Sequence, residues 1–403
     1  MTVASLEPSA RPLKLGSLET GRFIAASFVV LAHFLLQLRA FGAPGTRLFG
    51  NVQVPGAIGV QYFFVLSGFV MVTAHRADFG HWASPLKFWL RRVTRIYPVY
   101  WLSLAVMIGY FYGALKPGLA FKLVFLPPVP MADWVPPAWS LHYEFAFYLI
   151  FGLALLPYIG RPLLALWIVS VCLLWSPAPI ADLLPPALRR FLAHLPLTSA
   201  QEFFAPFEFY FFSGLLGGFM FSACRLGRAA SVFLLASGFV LLATAAPRMA
   251  WGFAYGAPLV SLQAGIGFAC VMLGLAELER LGALRFGALA ARLGAMSYPL
   301  YILHGPLLFT LEHFADNRLR FGAIGLYLFT LAVLIAVYGL CAGVTFKLDQ
   351  PLQRLIARRI RPARAALAGR PRAQSKPYAR GWRGGRARNQ SLIPARHLSD
   401  RVN

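Results

Sequence analysis

Long apolar runs separated by short polar or proline-rich segments dominate the chain. A helix needs about 20 mostly apolar residues to cross a bilayer, and about ten runs meet or approach that length. They cover residues 18–38, 57–75, 88–112, 138–158, 161–176, 204–223, 229–247, 254–277, 292–313 and 321–345. The pattern predicts an all-α integral membrane protein, a bundle of about ten transmembrane helices.

The composition supports this fold class. The chain has 403 residues, 58% hydrophobic and 13% charged, whereas soluble domains carry about 45–50% apolar and about 25% charged residues. A soluble enzyme is therefore excluded, and four cysteines are too few for a disulfide-rich secreted protein. The cysteines lie in or at the ends of the apolar runs and are interpreted as small hydrophobic residues, not as disulfides or metal ligands.

The net charge of +24 suggests nucleic acid at first, but most of it lies in one segment. Residues 354–403 hold 14 Lys and Arg and one Asp, so they carry more than half of the net charge. This segment cannot bury a core, and we predict a disordered tail attracted to anionic lipid. It lacks an aromatic stacking platform, so nucleic acid is not an expected partner. The predicted domains are a transmembrane domain over 1–353 and a basic tail over 354–403. The distribution of Lys and Arg between the loops places both termini in the cytoplasm.

Ionisable side chains inside apolar runs are costly and are functional candidates. Arg22 and His33 are eleven residues apart in the first run. That spacing puts them on one helix face, about 16 Å apart along the axis. Arg22 alone could be an interfacial anchor, and His33 alone an interhelical hydrogen-bonding group. Their shared face favours a polar channel that joins the two depths.

Two further motifs occur in the next two runs, the first at mid-depth and the second near the start of its run. Ser67-Gly68 is a pair of small residues that is more often a helix-packing notch than a site. Arg92 and Arg95 are three apart and share a face. They are either positive anchors at the inner surface or a clamp for phosphate groups, for which Arg is well suited.

The fourth and ninth runs also carry polar groups. Trp139 and Ser140 precede Glu144, which lies at about the depth of His33 and could partner that imidazole. In the ninth run Tyr298, Tyr301 and His304 follow one another at steps of three along one side of a helix. A structural role is slightly favoured for His304. Glu208 is a second membrane carboxylate with a weaker case.

These segments, in their order, resemble the membrane-bound acyltransferase-3 family. The resemblance covers about residues 15–353, ends on Asp349-Gln350-Pro351, and is carried by five segments. They are Gly21-Arg22 with His33; Phe63-Phe64-Val65-Leu66-Ser67-Gly68-Phe69; Arg91-Arg92-x-x-Arg95-Ile96-x-Pro98-x-Tyr100; Trp139-Ser140-Leu141-x-x-Glu144-x-x-Phe147-Tyr148; and Ser297-Tyr298-x-x-Tyr301-x-x-His304.

The resemblance implies a bacterial inner-membrane enzyme that moves an acyl group, acetyl above all, from cytoplasmic acyl-CoA to a hydroxyl of an exopolysaccharide, O-antigen or related carbohydrate. Acyl-CoA is then a co-substrate, with no tightly bound cofactor and no metal. Arg22, Arg92 and Arg95 would bind the CoA phosphates. His33 would be the general base and Glu144 would orient it; an acyl-His intermediate is a variant.

The resemblance also implies partners. They are the lipid bilayer, the carbohydrate acceptor, acyl-CoA and the glycan-synthesis machinery. Ser67, Gly68, Trp139, Ser140, Tyr298, Tyr301 and His304 would form a substrate or structural polar site.

Two alternatives belong to other classes of protein. A proton-coupled secondary transporter would use His33, Glu144 and Glu208 as a proton relay, but such proteins often show repeat-related halves, which this sequence lacks. A purely structural membrane subunit would not need five polar motifs inside lipid. Dependence on acetyl-CoA distinguishes the enzyme from the transporter.

Overall fold

The computed structural model of the protein describes residues 15–51, 54–109, 135–176, 185–187, 190, 203–248, 258–315, 319–356 and 358. Contacts group residues Met1–Ile356 into one unit and Ala357–Asn403 into a second. Apart from residues 354–356 and 358, the predicted tail lies outside the described residues. Its disorder and the predicted domain division therefore stay predictions.

The described residues form ten α-helices and no β-strand, which confirms the all-α fold class. In chain order the helices are α1 Gly16–Gln37, α2 Gly56–His75, α3 Ser84–Met107, α4 Trp139–Ala154, α5 Gly160–Leu174, α6 Glu208–Ala223, α7 Arg228–Ala245, α8 Pro258–Arg280, α9 Ala288–Ala315 and α10 Ala323–Gly343. A π-helix, Val344–Asp349, continues α10.

Each predicted apolar run coincides with one of these helices. Five helical stretches are long and apolar enough to cross a membrane: Gly16–Phe41, Gly56–Asp78, Arg228–Arg248, Pro258–Arg280 and Ala323–Ile356. The other helices are shorter or carry more polar side chains, so ten crossings and cytoplasmic termini stay predictions. The four cysteines are free thiols.

The helices arrange into an inner group and an outer group. α1 packs against α2 and α9, α2 against α6, and α6 against α8. α7 packs on α8 from outside, and α10 lies beside α9. Both outer helices leave large apolar side chains exposed, for example Phe233 on α7 and Ile335 on α10. Such faces suit contact with lipid.

The start of α1 is held by a residue from the far end of α8. The first N–H groups of a helix have no partner within the helix. Glu279 supplies one, since its carboxylate accepts from the amides of Gly16 (2.7 Å) and Ser17 (2.9 Å). A carboxylate is also favoured at the positive end of the helix dipole. The position of α1 is therefore fixed against α8.

Glycines allow α2 and α6 to touch along their backbones. A Cβ atom on Gly68 would overlap the main-chain oxygen of Phe211, and one on Gly214 would overlap that of Val65. Small residues are the usual means by which membrane helices approach closely. The packing-notch interpretation of Gly68 is confirmed, and the adjacent Ser67 is free to serve another purpose.

α3 and α9 are joined where a proline interrupts the helical hydrogen bonds. Pro306 has no N–H to donate to Ile302, four residues earlier. Ser103 on α3 donates its hydroxyl to the Ile302 oxygen instead, at 3.2 Å, and its side chain is fully buried. The hydrogen bond ties the kinked region of α9 to α3, next to the residues described below.

Candidate active site

The three predicted arginines lie on α1 and α3, both of which pack against α9. Arg22 is on the second turn of α1, and its Nη1 lies 3.7 Å from Glu19 Oε2. Glu19 in turn lies against α9, where a Cβ on Gly294 would overlap its carboxylate. The Nε of Arg22 is buried without an acceptor among the described residues. The Arg22 side chain is 28% exposed, so part of its guanidinium remains available to another anion.

Arg95 on α3 is paired with the π-helix that follows α10. Its Nη1 donates to Asp349 Oδ2 at 3.1 Å, and the Asp349 carboxylate is fully buried. The guanidinium also lies 6.0 Å from the ring centroid of Tyr298 on α9. π-helical turns occur frequently at functional sites. The acidic residue of the Asp349-x-Pro351 motif thus has a definite partner.

Arg92 lies one turn before Arg95 and has a different environment. Its guanidinium lies 5.3 Å from the ring centroids of both Phe88 and Tyr148. Its Nη2 is 3.2 Å from Nε2 of His75, the last residue of α2. Aromatic faces attract a guanidinium and restrict its movement. Arg92 is therefore held by rings and by an imidazole.

Deeper in the bundle, His33 and His304 form a stacked pair. Nδ1 of His33 lies 3.0 Å from Nε2 of His304, and the two rings are 5.1 Å apart with 13° between their planes. His304 is 1% exposed, whereas His33 is exposed. The pair joins α1 to α9, with His304 as the buried member and His33 as the exposed one.

The hydrogen bonds of this pair define which nitrogen of His33 is basic. Nδ1 of His304 lies 2.6 Å from the main-chain oxygen of Tyr301, which can only accept. A neutral His304 therefore carries its hydrogen on Nδ1 and accepts at Nε2. His33 must then donate from Nδ1, so its Nε2 holds the free lone pair. The tautomers follow from the network of heavy-atom distances.

Glu144 has other partners than the predicted imidazole. Its Oε1 accepts from Ser67 Oγ on α2 at 2.8 Å and from the hydroxyl of Tyr148, one turn along α4. Among the described residues, Nδ1 of His33 meets His304 and not Glu144. The orientation of His33 thus comes from His304 in this structure. A catalytic role of Glu144 stays a prediction.

The three polar residues on α9 each reach a different neighbour. Each step of three turns a side chain by about 60° around the helix. Tyr298 donates to the Ile96 oxygen of α3 at 2.7 Å, and Tyr301 donates to the Pro137 oxygen at 2.9 Å. His304 reaches α1. The predicted polar side of α9 is therefore a set of contacts to three elements.

The start of α4 is fixed by two more of the predicted residues. The hydroxyl of Ser140 lies 2.6 Å from that of Tyr301, which already donates to a carbonyl, so Ser140 is the donor. Trp139 packs against Tyr143 and Phe207, with ring centroids 6.1 and 5.8 Å away. These contacts fix the start of α4, the helix that carries Glu144.

The structure adds His75 and Asp78 to the candidate residues. Sequence reasoning missed them because they lie at the end of an apolar run, where polar residues are common. The signal that could have found them is the burial expected for Arg92, which requires a polar partner on a neighbouring helix.

Among the described residues there is no cluster of His, Cys, Asp and Glu that could hold a metal ion.

The sequence is similar to a known family model and to three curated proteins. The model of the acyltransferase-3 family, described as an acyltransferase domain, matches residues 15–345. This range includes all the helices from α1 to α10. No solved structure gives a significant match.

Three curated proteins are similar in sequence. The exopolysaccharide production protein ExoZ of Rhizobium meliloti (strain 1021) is 29% identical over 337 residues, 78% of this chain and 94% of ExoZ. The acyltransferase MdmB of Streptomyces mycarofaciens is 35% identical over 158 residues, 36% of this chain and 40% of MdmB. Protein 2 in the picA locus of Rhizobium radiobacter is 31% identical over 140 residues, 34% of this chain and 61% of that protein.

Proposed function

Because the chain belongs to the acyltransferase-3 family, we propose that it transfers an acetyl group from cytoplasmic acetyl-CoA to a hydroxyl of an exported or cell-surface carbohydrate. It would act as a multi-pass protein of the bacterial inner membrane with both termini in the cytoplasm. The name of ExoZ, a protein of exopolysaccharide production, supports a carbohydrate acceptor. Membership of an acyltransferase family favours this enzyme over the transporter.

The observation that carries the proposal is the chain from His33 through His304 to the Tyr301 oxygen. It leaves one basic nitrogen, His33 Nε2, on an exposed ring within a helix of the apolar bundle. A general base must be neutral and within reach of the proton that it takes. His304 plays the part that a carboxylate plays in a catalytic triad, since it fixes the tautomer and the direction of the base.

The reaction balances with this pair alone. His33 Nε2 takes the hydrogen of the acceptor hydroxyl as that oxygen attacks the thioester carbonyl. The tetrahedral intermediate collapses, the carbon–sulfur bond breaks, and the CoA thiolate takes the proton back from His33. The products are the acetylated carbohydrate and CoA. While His33 is protonated, its Nδ1–H remains directed at His304 Nε2.

The donor would enter from the arginine end of the bundle. Arg22 and His33 are both on α1, about 16 Å apart along its axis. A phosphate held near Arg22, Arg92 and Arg95 would let the extended thiol arm of CoA reach inward to His33. Guanidinium groups suit phosphate because they offer several donors in one plane.

Glu144 would serve the acceptor side. Ser67 and Tyr148 both donate to its Oε1, and Oε2 has no hydrogen bond among the described residues. A half-buried carboxylate oxygen is a good acceptor for sugar hydroxyls. We place Glu144 as a group that orients the carbohydrate rather than the imidazole.

The test is transfer by the full-length protein in proteoliposomes. Acetyl-CoA labelled in the acetyl group is supplied with a panel of exopolysaccharide and O-antigen oligosaccharides, and alkali-labile label on the glycan is counted. His33→Ala should lower the rate by about 10²–10⁴-fold, the usual contribution of a general base. His81→Ala is the matched control, since His81 is exposed and its imidazole is hydrogen-bonded to the nearby Phe79 oxygen.

Two results would contradict the proposal. Normal transfer by His33→Ala would remove His33 as the base. Absence of label on every glycan with the unaltered protein, while another acceptor is acetylated, would remove the carbohydrate.

A further inference from the structure

The three arginines of the donor side differ in what balances their charge. Arg22 lies 3.7 Å from Glu19, and Arg95 lies 3.1 Å from Asp349. Within the described part of the chain, Arg92 has no carboxylate within ion-pair distance. A guanidinium beside a carboxylate offers a reduced net charge to a ligand, whereas Arg92 keeps more of its charge.

The hydrogen-bond partner of Arg92 is a neutral imidazole. Nη2 of Arg92 can only donate, so His75 Nε2 must accept and carries no hydrogen. The hydrogen of His75 is then on Nδ1, which donates to Asp78 Oδ2 at 2.8 Å. Asp78 thus selects the tautomer of His75, as a carboxylate does for a metal-binding or catalytic histidine.

Packing keeps this chain in place. His75 is 3% exposed, and its ring meets the rings of Phe88 and Phe151 edge to face at 5.0 and 6.4 Å. Phe88 also lies beside the Arg92 guanidinium. The imidazole cannot turn away without disturbing several buried rings. It therefore points one lone pair at one hydrogen of Arg92.

Asp78 is itself balanced from the other side. Nη1 of Arg91 lies 3.9 Å from Asp78 Oδ2. The Arg91 side chain is 40% exposed and that of Asp78 34%. An exposed pair of this kind contributes little stability. The pair gives Asp78 a cationic partner other than Arg92. Arg92 is therefore not the residue that neutralises Asp78.

We propose that His75, held by Asp78, is the positioning residue that directs the guanidinium of Arg92, which has no direct ion pair among the described residues, at a phosphate of the acyl-CoA donor. This inference rests on the proposed function, because it assumes that Arg92 binds the donor. An imidazole is suited to the task. It orients the guanidinium with a hydrogen bond and leaves the charge for the ligand, which a carboxylate at position 75 would not do.

The experiment measures the KM for acetyl-CoA and kcat with the full-length protein in proteoliposomes. His75→Ala should raise the KM about tenfold, the effect of one lost hydrogen bond to a charged group, with kcat changed less than about threefold. His75→Gln should restore most of the affinity, since its amide can donate to Asp78 and accept from Arg92. His75→Glu should raise the KM at least as much as His75→Ala. The control is His81→Ala, with unchanged KM.

A second variant avoids a cavity in the core. Asp78 is about one-third exposed, so Asp78→Ala should fold. It should raise the KM about threefold, because His75 then loses the hydrogen bond that selects its tautomer. A variant set in which His75→Ala and His75→Gln lower thermal stability and kcat alike, with the KM unchanged, would overturn the positioning role.

Arg92→Ala separates the two proposals. If it raises the KM and the variants of His75 and Asp78 do not, the positioning role is wrong and the donor site stands. If Arg92→Ala leaves the KM unchanged, both the donor site at Arg92 and the role of His75 are wrong.

Discussion

Gln353 donates its side-chain amide to the main-chain oxygen of Thr94 at 2.7 Å. Thr94 lies four residues before Pro98, which has no N–H to offer it. Gln353 also lies 3.3 Å from Oδ1 of Asp349, the partner of Arg95. One residue beyond α10 thus completes the hydrogen bonds of α3 at the turn that carries Arg95.

Removing this amide should loosen that turn. Gln353→Ala leaves the Thr94 oxygen without its donor, so the free energy of unfolding should fall by about 1–2 kcal/mol. Thermal unfolding in detergent measures the change, and the KM for acetyl-CoA should rise as Arg95 becomes mobile. Arg354→Ala is the control, since Arg354 is exposed and its hydrogen bond is to Gln350. Equal stability of both variants would contradict the prediction.

The role assigned to His304 predicts an effect on turnover alone. His304→Leu removes the acceptor that holds His33 Nδ1–H, and kcat should fall about 10²-fold while the KM for acetyl-CoA stays within about twofold. His304→Gln should keep a larger part of kcat, because its amide can donate to the Tyr301 oxygen and accept from His33. Steady-state kinetics with saturating glycan measures both. Equal kcat in the two variants would show that a hydrogen bond at this position does not matter.

Tyr148 contacts both halves of the site with different atoms. Its ring lies beside Arg92, and its hydroxyl donates to Glu144. Tyr148→Phe keeps the ring, so the KM for acetyl-CoA should not change, while the KM for the carbohydrate should rise about tenfold as Glu144 loses a donor. Tyr148→Leu should raise both KM values. A rise in the acetyl-CoA KM for Tyr148→Phe would place the hydroxyl on the donor side instead.

The glycine contact between α2 and α6 predicts a loss of stability. Gly68→Ala puts a Cβ against the Phe211 oxygen, and the helices must separate at a cost of about 1–3 kcal/mol. Transfer should fall as well, because the adjacent Ser67 moves relative to Glu144. Gly339→Ala is the matched control within α10, where no atom lies within 4 Å of the added Cβ. Its stability should be unchanged or slightly higher, since alanine favours a helix.

The helices could be predicted closely from the apolar runs. The run at 57–75 corresponds to α2, Gly56–His75, and the run at 321–345 to α10, Ala323–Gly343. The reason is that a chain in lipid must satisfy its backbone within each helix, so one apolar run gives one helix.

The partners of the polar side chains could not be predicted. Glu144 was the predicted neighbour of His33, and His304, 271 residues away in sequence, holds that place. Position along one helix gives no information about which neighbouring helix a side chain meets. The link between Arg95 and Asp349, 254 residues apart, was also not predicted, although a buried arginine does require an anion.

The contact of Glu279 with the amides of Gly16 and Ser17 bears on biosynthesis. This contact joins the first helix to the end of the eighth, so it can form only after most of the chain has left the ribosome. Until then α1 enters the membrane with its first amides uncapped by this carboxylate. Arg22, less than two turns further on, reaches its final place late. A nascent chain cut before residue 279 would therefore carry the charged residues of the donor side without the contact that sets the level of α1.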